Sequence, residues 1–238
     1  MGKNEQRGTP VALTARNQLH LKRKIFHAFN GLLIFTIYQF DCVNWVLGGL
    51  MIVPFVLLAW GLEIGRLKSK ALNDTIIKYT GQIMRAGEVN KPSGICFFLT
   101  GVLIAGILVV PEKNALLMSV LYLGLGDPFA SACGILTRPF TPKSLLLSNG
   151  KNVIGTLCNI VFCGVLSFVF LTWRFAPFYF TITQFWSLVI GGGIAGGLSE
   201  LFLFGSFMNT YMNDNLTIPI ICTIVLKAIS LSTGANLQ

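Results

Sequence analysis

The chain has 238 residues, 53% of them hydrophobic and 11% charged, with a mean hydropathy of +0.70, a balance that excludes an ordinary soluble domain and implies a polytopic membrane protein. Its formal net charge of +9 does not imply a nucleic-acid partner, because no basic stretch is interleaved with stacking aromatics and the lysines sit between apolar runs. Six scattered cysteines without a C-x-x-C pair, and only two histidines, leave no disulfide framework and no histidine-rich zinc site.

Residues 1–24 form a basic tail carrying Lys3, Arg7, Arg16, Lys22, Arg23 and Lys24, with no apolar core of the kind a cleavable signal needs. Apolar segments follow at Ile25–Phe40, Val43–Leu62, Gly94–Pro111, Asn114–Cys133, Val153–Trp173, Phe185–Gly205 and Leu216–Leu231. A bilayer core takes about 20 residues of helix, and backbone groups in lipid must bond within their own segment. The pattern therefore predicts an all-α bundle of about seven transmembrane helices in one membrane domain, 25–238, with six or eight as neighbouring counts. Loops at about 63–93, 134–152 and 206–215 share the face of the amino terminus. The first two hold Arg66, Lys68, Lys70, Lys78, Arg85, Lys91, Arg138, Lys143 and Lys151, whereas the other face receives Lys113, Arg174 and Lys227. Positive-inside bias then puts the amino terminus in the cytosol and, with seven spans, the carboxyl terminus outside. Within the 63–93 loop, Leu72, Ile76, Tyr79 and Ile83 recur at helical spacing and predict an interfacial amphipathic helix. The sequons at Asn73 and Asn215 fall on the cytosolic side and are expected to carry no glycan.

Acidic residues gather at that same face. Glu88 precedes the third segment, Asp127 ends the fourth and Asp214 precedes the seventh, while Glu200 lies inside the sixth, about one and a half turns from its cytosolic end. A carboxylate at such depth needs a cation, a donor or a wet cavity; it is either functional or hydrogen-bonded between helices. In Gly124-Leu125-Gly126-Asp127-Pro128 the glycines allow close approach of a backbone or a phosphate, and Pro128 suits the first turn of a following helix. Asp214-Asn215 is a second oxygen-rich spot, read either as part of a Mg²⁺ site or as a turn or helix cap. Arg23, Lys24 and His27 open the first span and Gly150-Lys151 the fifth; polyphosphate would find partners there, although basic residues also mark topology. Gly150-Lys151 is not a Walker A loop, since Leu145 replaces the upstream glycine and Asn152 the Ser or Thr. The run Gly191–Gly196 lies in a span with no preceding strand and reads as close helix packing.

Taken in order, Arg23-Lys24-x-x-His27, Glu88, Gly126-Asp127-x-x-Ala130-x-x-x-Gly134, Gly150-Lys151, Gly155-Thr156, Glu200 and Asp214-Asn215-x-x-x-Pro219 resemble the dolichol, phytol and diacylglycerol kinase family. Within it, the Arg-Lys-Ile-Phe-His opening, Thr141-Pro142-Lys143 and Asp214–Pro219 look most like the CTP-dependent diacylglycerol kinase branch, with phytol and dolichol kinases as the alternatives. The resemblance implies transfer of the γ-phosphoryl group of CTP to a membrane lipid hydroxyl, in the endoplasmic reticulum with the site facing the cytosol. It implies catalytic roles for Asp127, Glu200 and Asp214, with Mg²⁺ held by Asp127 and Asp214. Phosphate binding falls to Arg23, Lys24, Lys151, Gly126, Gly155 and Thr156, and His27, Glu88 and Asn215 line the site. Two departures stand out: Ile154 replaces a carboxylate common in the family, and Ile135 replaces a basic residue after Gly134, with Arg138 nearby. A small transporter, or a noncatalytic kinase relative, are the readings from other classes.

Overall fold

The computed structural model describes residues 21–84, 88–142, 145–146, 152–199 and 213–238. Apart from an isolated bridge between Leu146 and Asn152, the regular structure among them is helical. In chain order the helices are α1 (Leu21–Tyr38), α2 (Trp45–Lys68), α3 (Lys70–Thr80), α4 (Gly94–Val109), α5 (Lys113–Leu121), α6 (Asp127–Thr137), α7 (Val153–Arg174), α8 (Ile182–Ser199) and α9 (Asp214–Thr233). A π-helical turn, Tyr122–Gly126, joins α5 to α6, so the two form one rod that ends in a 3₁₀ turn at Arg138–Phe140. Four elements are long and apolar enough to cross a membrane: α2, the Lys113–Phe140 rod, α7 and α9; α4 is apolar but shorter. The chain is an integral membrane protein.

The rod is the centre of the bundle. Every residue from Asn114 to Leu121 is buried, as expected of a helix apolar on all sides, and 61% of an 18-residue apolar stretch of the rod is buried against 17% of the corresponding stretch of α2. The outward side of α2, with Leu50, Phe55, Leu57 and Leu58 exposed, suits a hydrocarbon surround rather than water. α1 crosses the rod at its π turn, where a Cβ built on Gly31 would stand 2.6 Å from the Gly124 Cα; only hydrogen on both residues allows that approach. The glycines of α8 pack as their spacing predicts: Gly193 faces the Ile160 carbonyl and Gly164 of α7, and Gly196 faces Cys163 and Tyr122. Hydroxyls inside the bundle pair with one another, Tyr122 Oη with Ser167 Oγ at 2.6 Å and Thr223 Oγ1 with Ser119 Oγ at 2.8 Å, because an unpaired polar group there is costly. All six cysteines are free thiols, and Cys96, Cys163 and Cys222 are buried.

Helix ends sort onto two faces. The amino ends of α1, α4, α7 and α9 lie on one. The opposite face is tied by Arg174 Nη2 to Asp41 at 2.5 Å, Lys113 Nζ to the Phe40 carbonyl at 2.5 Å, and Asn114 N to the Leu237 carbonyl at 3.0 Å.

Two expectations change. α2 runs six residues past Leu62, because Glu63 and Arg66 pair with each other inside the protein instead of turning out to water. Asp127 does not end its span; the helix continues to Thr137, restarted by Pro128 in the first turn of α6. α3 forms over the stretch where an interfacial helix is expected; it turns Asn73 and Ile77 to the bundle, Asn73 being held by Arg66 and the Val89 carbonyl. Tyr79 is left 77% exposed.

Candidate active site

Successive residues of a helix point about 100° apart, so Arg23 and Lys24 of α1 reach different neighbours. Arg23 turns to the segment before α4: Nη1 donates to Glu88 Oε2 at 3.0 Å and the Ile83 carbonyl at 3.1 Å, and Nη2 donates to Glu88 Oε1 at 3.2 Å. This two-pronged, largely buried pair is the strong form of an Arg–carboxylate contact. Lys24 turns to the rod, where its Nζ donates to the Pro128 carbonyl at 3.1 Å, one residue from Asp127. His27, one turn further along, is buried with its ring edge-on to Phe98 at 5.3 Å.

Asp127 is the first residue of α6, directly after the π turn, a distortion often found at functional positions. It lies fourteen residues from Lys113, about 20 Å along the rod from the opposite face. Its side chain is half-buried and, among the described residues, has neither an ion pair nor a hydrogen bond. Asn159 of α7, 1% exposed, stands at the same level. A Cβ on Gly126 would come within 3.0 Å of Asn159 Oδ1 and 2.8 Å of Cys163 Sγ, so Gly126 lets α7 close on the rod. The Asn159 amide also donates to the Gly196 carbonyl at 3.3 Å, bridging α7 to α8.

Asp214 opens α9. The cap of that helix is Asn213, whose side chain accepts from the Asn215 backbone N–H at 3.1 Å. Asn215 is buried and its Nδ2 donates to the Gly94 carbonyl at 2.8 Å. At Gly94 three helices meet, since a Cβ there would lie 2.6 Å from Asn215 Nδ2 and 2.9 Å from Arg23 Nη2. The first turn of α1 thus has Glu88, Gly94 and Asn215 on its Arg23 side and Pro128, next to Asp127, on its Lys24 side.

Gly155 and Thr156 sit in the seam between α6 and α7. A Cβ on Gly155 would meet the Ala130 carbonyl and the Gly134 Cα, each at 3.0 Å, and Thr156 is buried. Asn152 caps α7 by accepting from Ile154 N at 2.9 Å while its amide donates to the Gly134 carbonyl (3.2 Å), Thr137 Oγ1 (3.0 Å) and Thr141 Oγ1 (2.9 Å). Asn152→Ala is expected to lower stability by about 0.5–2 kcal/mol, read as a shift of the thermal unfolding midpoint in detergent. Lys151 and Glu200 lie outside the described residues.

No group of three or more His, Cys, Asp or Glu able to hold a metal occurs among the described residues. Mg²⁺ rarely asks for one: it takes one or two carboxylates and completes its shell with water and substrate phosphates. The Asp127 carboxylate, without a hydrogen bond or ion pair among the described residues, is a hard oxygen donor of the kind that demand calls for.

Sequence reasoning missed Asn159, Asn152 as an anchor, and the Glu63–Arg66 pair. A signal for the first two existed. Asn152, Thr156, Asn159, Cys163 and Ser167 recur at steps of four and three along α7, one buried polar stripe on an otherwise apolar helix.

No family model and no solved structure matches the chain. It is similar to three curated fungal proteins, each named CTP-dependent diacylglycerol kinase 1. The protein of Eremothecium gossypii is 28% identical over 94% of this chain and 76% of its own length. That of Saccharomyces cerevisiae is 24% identical over 88% and 73%, and that of Schizosaccharomyces pombe 30% identical over 70% and 74%.

Proposed function

The chain belongs to the family of CTP-dependent diacylglycerol kinases, and from that premise we propose that it transfers the γ-phosphoryl group of CTP to the free hydroxyl of diacylglycerol, giving phosphatidate and CDP. The observation that carries the site is the Asp127 carboxylate, half-buried in the central rod without a partner among the described residues; a charge kept there unpaired is expensive unless a cation or substrate completes it.

The membrane arrangement proposed is seven crossings, by α1, α2, α4, the rod, α7, α8 and α9, with α3 lying along the headgroups. The amino terminus, the 1–24 tail and the loops at 63–93, 134–152 and 206–215 face the cytosol, in the endoplasmic reticulum, and 25–238 is one membrane domain. The excess of Lys and Arg on that side supports the orientation. Nucleotide then arrives from water at the face where Arg23, Lys24, Asp127 and Asp214 cluster, while the lipid hydroxyl stays at the same boundary, held by its acyl chains.

Phosphoryl transfer needs little beyond positioning and neutralised charge. Lys24, beside Pro128, offsets negative charge on the triphosphate. Arg23 shares its charge with Glu88 and shapes the wall of the same pocket, and Lys151 adds a third cation. Asp127 and Asp214 would hold Mg²⁺, which when bound supplies Lewis-acid neutralisation of phosphate oxygens. Glu200 takes the proton of the lipid hydroxyl as its oxygen bonds to the γ-phosphorus and the bond to the β-phosphate oxygen breaks, releasing CDP.

Purified protein in mixed micelles, given CTP or ATP with diacylglycerol, phytol or dolichol, tests this. Expected is phosphatidate from CTP and diacylglycerol, with ATP and the isoprenoid alcohols far weaker. Preferred turnover of phytol or dolichol would reassign the substrate, and no phosphorylated lipid from any pair would remove the activity.

A further inference from the structure

Arg66 is 1% exposed, the largest fully buried side chain described, and its planar fork gathers a whole segment. Nη1 donates to Asn73 Oδ1 at 2.9 Å and the Val89 carbonyl at 3.0 Å; Nη2 shares its hydrogens among Glu63, the Glu88 carbonyl at 2.8 Å and the Lys91 carbonyl at 2.7 Å. Glu63 works on the same segment from the other side. Its Oε1 accepts from Ser93 N at 2.6 Å and its Oε2 from Ser93 Oγ at 3.2 Å, at the residue that precedes α4.

The two ends of that segment are the groups that meet α1 and α9. Its first residue, Glu88, holds Arg23 through both carboxylate oxygens. Directly after its last residue, Gly94 gives its carbonyl to Asn215, next to Asp214. A backbone held at 88, 89, 91 and 93 by one ion pair has little freedom to move either end. Buried ion pairs contribute weakly to stability compared with apolar side chains of the same volume, and their best-attested use is to fix one geometry among several.

We propose that Glu63 and Arg66 are positioning residues of the phosphotransfer site, fixing the 88–93 backbone so that Glu88 aims the Arg23 guanidinium at bound nucleotide and Asn215 keeps the start of α9 in place. This rests on the kinase reading above. Neither residue touches substrate; their effect travels through Glu88 and Gly94. It falls on the nucleotide rather than on the lipid.

Arg66→Lys tests the idea because it keeps the charge that balances Glu63 but replaces a planar fork with a point donor that cannot span three carbonyls. The expected result is a folded protein whose KM for CTP rises about tenfold or more, in line with the cost of a small misplacement, with the KM for diacylglycerol unchanged. In a Glu88→Gln background the same substitution should change the CTP KM by no more than about twofold, since residues acting through one contact are not additive. A folded Arg66→Lys protein with a wild-type CTP KM, equal effects on both substrates, or full additivity with Glu88→Gln would overturn the proposal. If Arg66→Lys does not fold, Glu63→Gln carries the same comparison with the same outcomes. A wild-type protein inert towards CTP would instead sink the kinase reading, a separate failure.

Discussion

Asp127→Asn is expected to lower CTP-dependent phosphatidate formation by about 100- to 1,000-fold, the range seen when one preorganised electrostatic contact to a reacting group is lost. The substitution is nearly isosteric, and among the described residues it breaks no ion pair or hydrogen bond of the Asp127 side chain. It also removes the cost of a half-buried charge, so the thermal midpoint should hold or rise slightly. Activity and stability therefore separate, which a damaged fold would not allow. Initial rates over CTP and diacylglycerol, beside a melting curve in the same detergent, decide the matter; wild-type turnover would release Asp127 from the mechanism.

Gly31→Val should produce the largest loss of stability. The Cβ alone would stand 2.6 Å from the Gly124 Cα, and since both partners are backbone, neither can turn aside. Overpacking of this kind costs about 1–3 kcal/mol or more, a fall in the unfolding midpoint on the order of 5 °C for a chain of this size. Because α1 also carries Arg23 and Lys24, activity should fall with it. Gly49 is the control: no atom lies within 4 Å of a Cβ built there, so Gly49→Ala should be neutral or slightly stabilising through better helix propensity. An equal midpoint for Gly31→Val and Gly49→Ala would deny the close crossing.

The helices were legible because hydrocarbon thickness and backbone bonding leave little choice, and Pro128 announced the restart of α6. Asp127 was legible as a charge in a place where charges are rare. What escaped was of another kind. Glu63 and Arg66 were counted as loop because charge was taken as a mark of exposure, and only the fold reveals that each neutralises the other within α2. Arg23 is legible as a cation suited to phosphate, whereas its two-pronged contact with Glu88, 65 positions away, leaves no local trace. Asn152 stands two residues before Ile154, and its side-chain amide, sharing two hydrogens among the Gly134 carbonyl, Thr137 Oγ1 and Thr141 Oγ1, gives the Gly134–Thr141 stretch an anchor that leaves no trace in the motif letters.

The π turn has a geometric effect that outlasts its five residues. Widening one turn of an α-helix is equivalent to slipping in a single extra residue, which advances everything downstream by about 100° in azimuth. The compass bearing of Asp127, and the meeting of its neighbour Gly126 with the Asn159 side of α7, are set by the winding of Tyr122–Gly126 and not by the aspartate itself. A homologous chain with the same Gly-Asp-Pro letters but a regular winding before them would carry the same carboxylate on the wrong meridian.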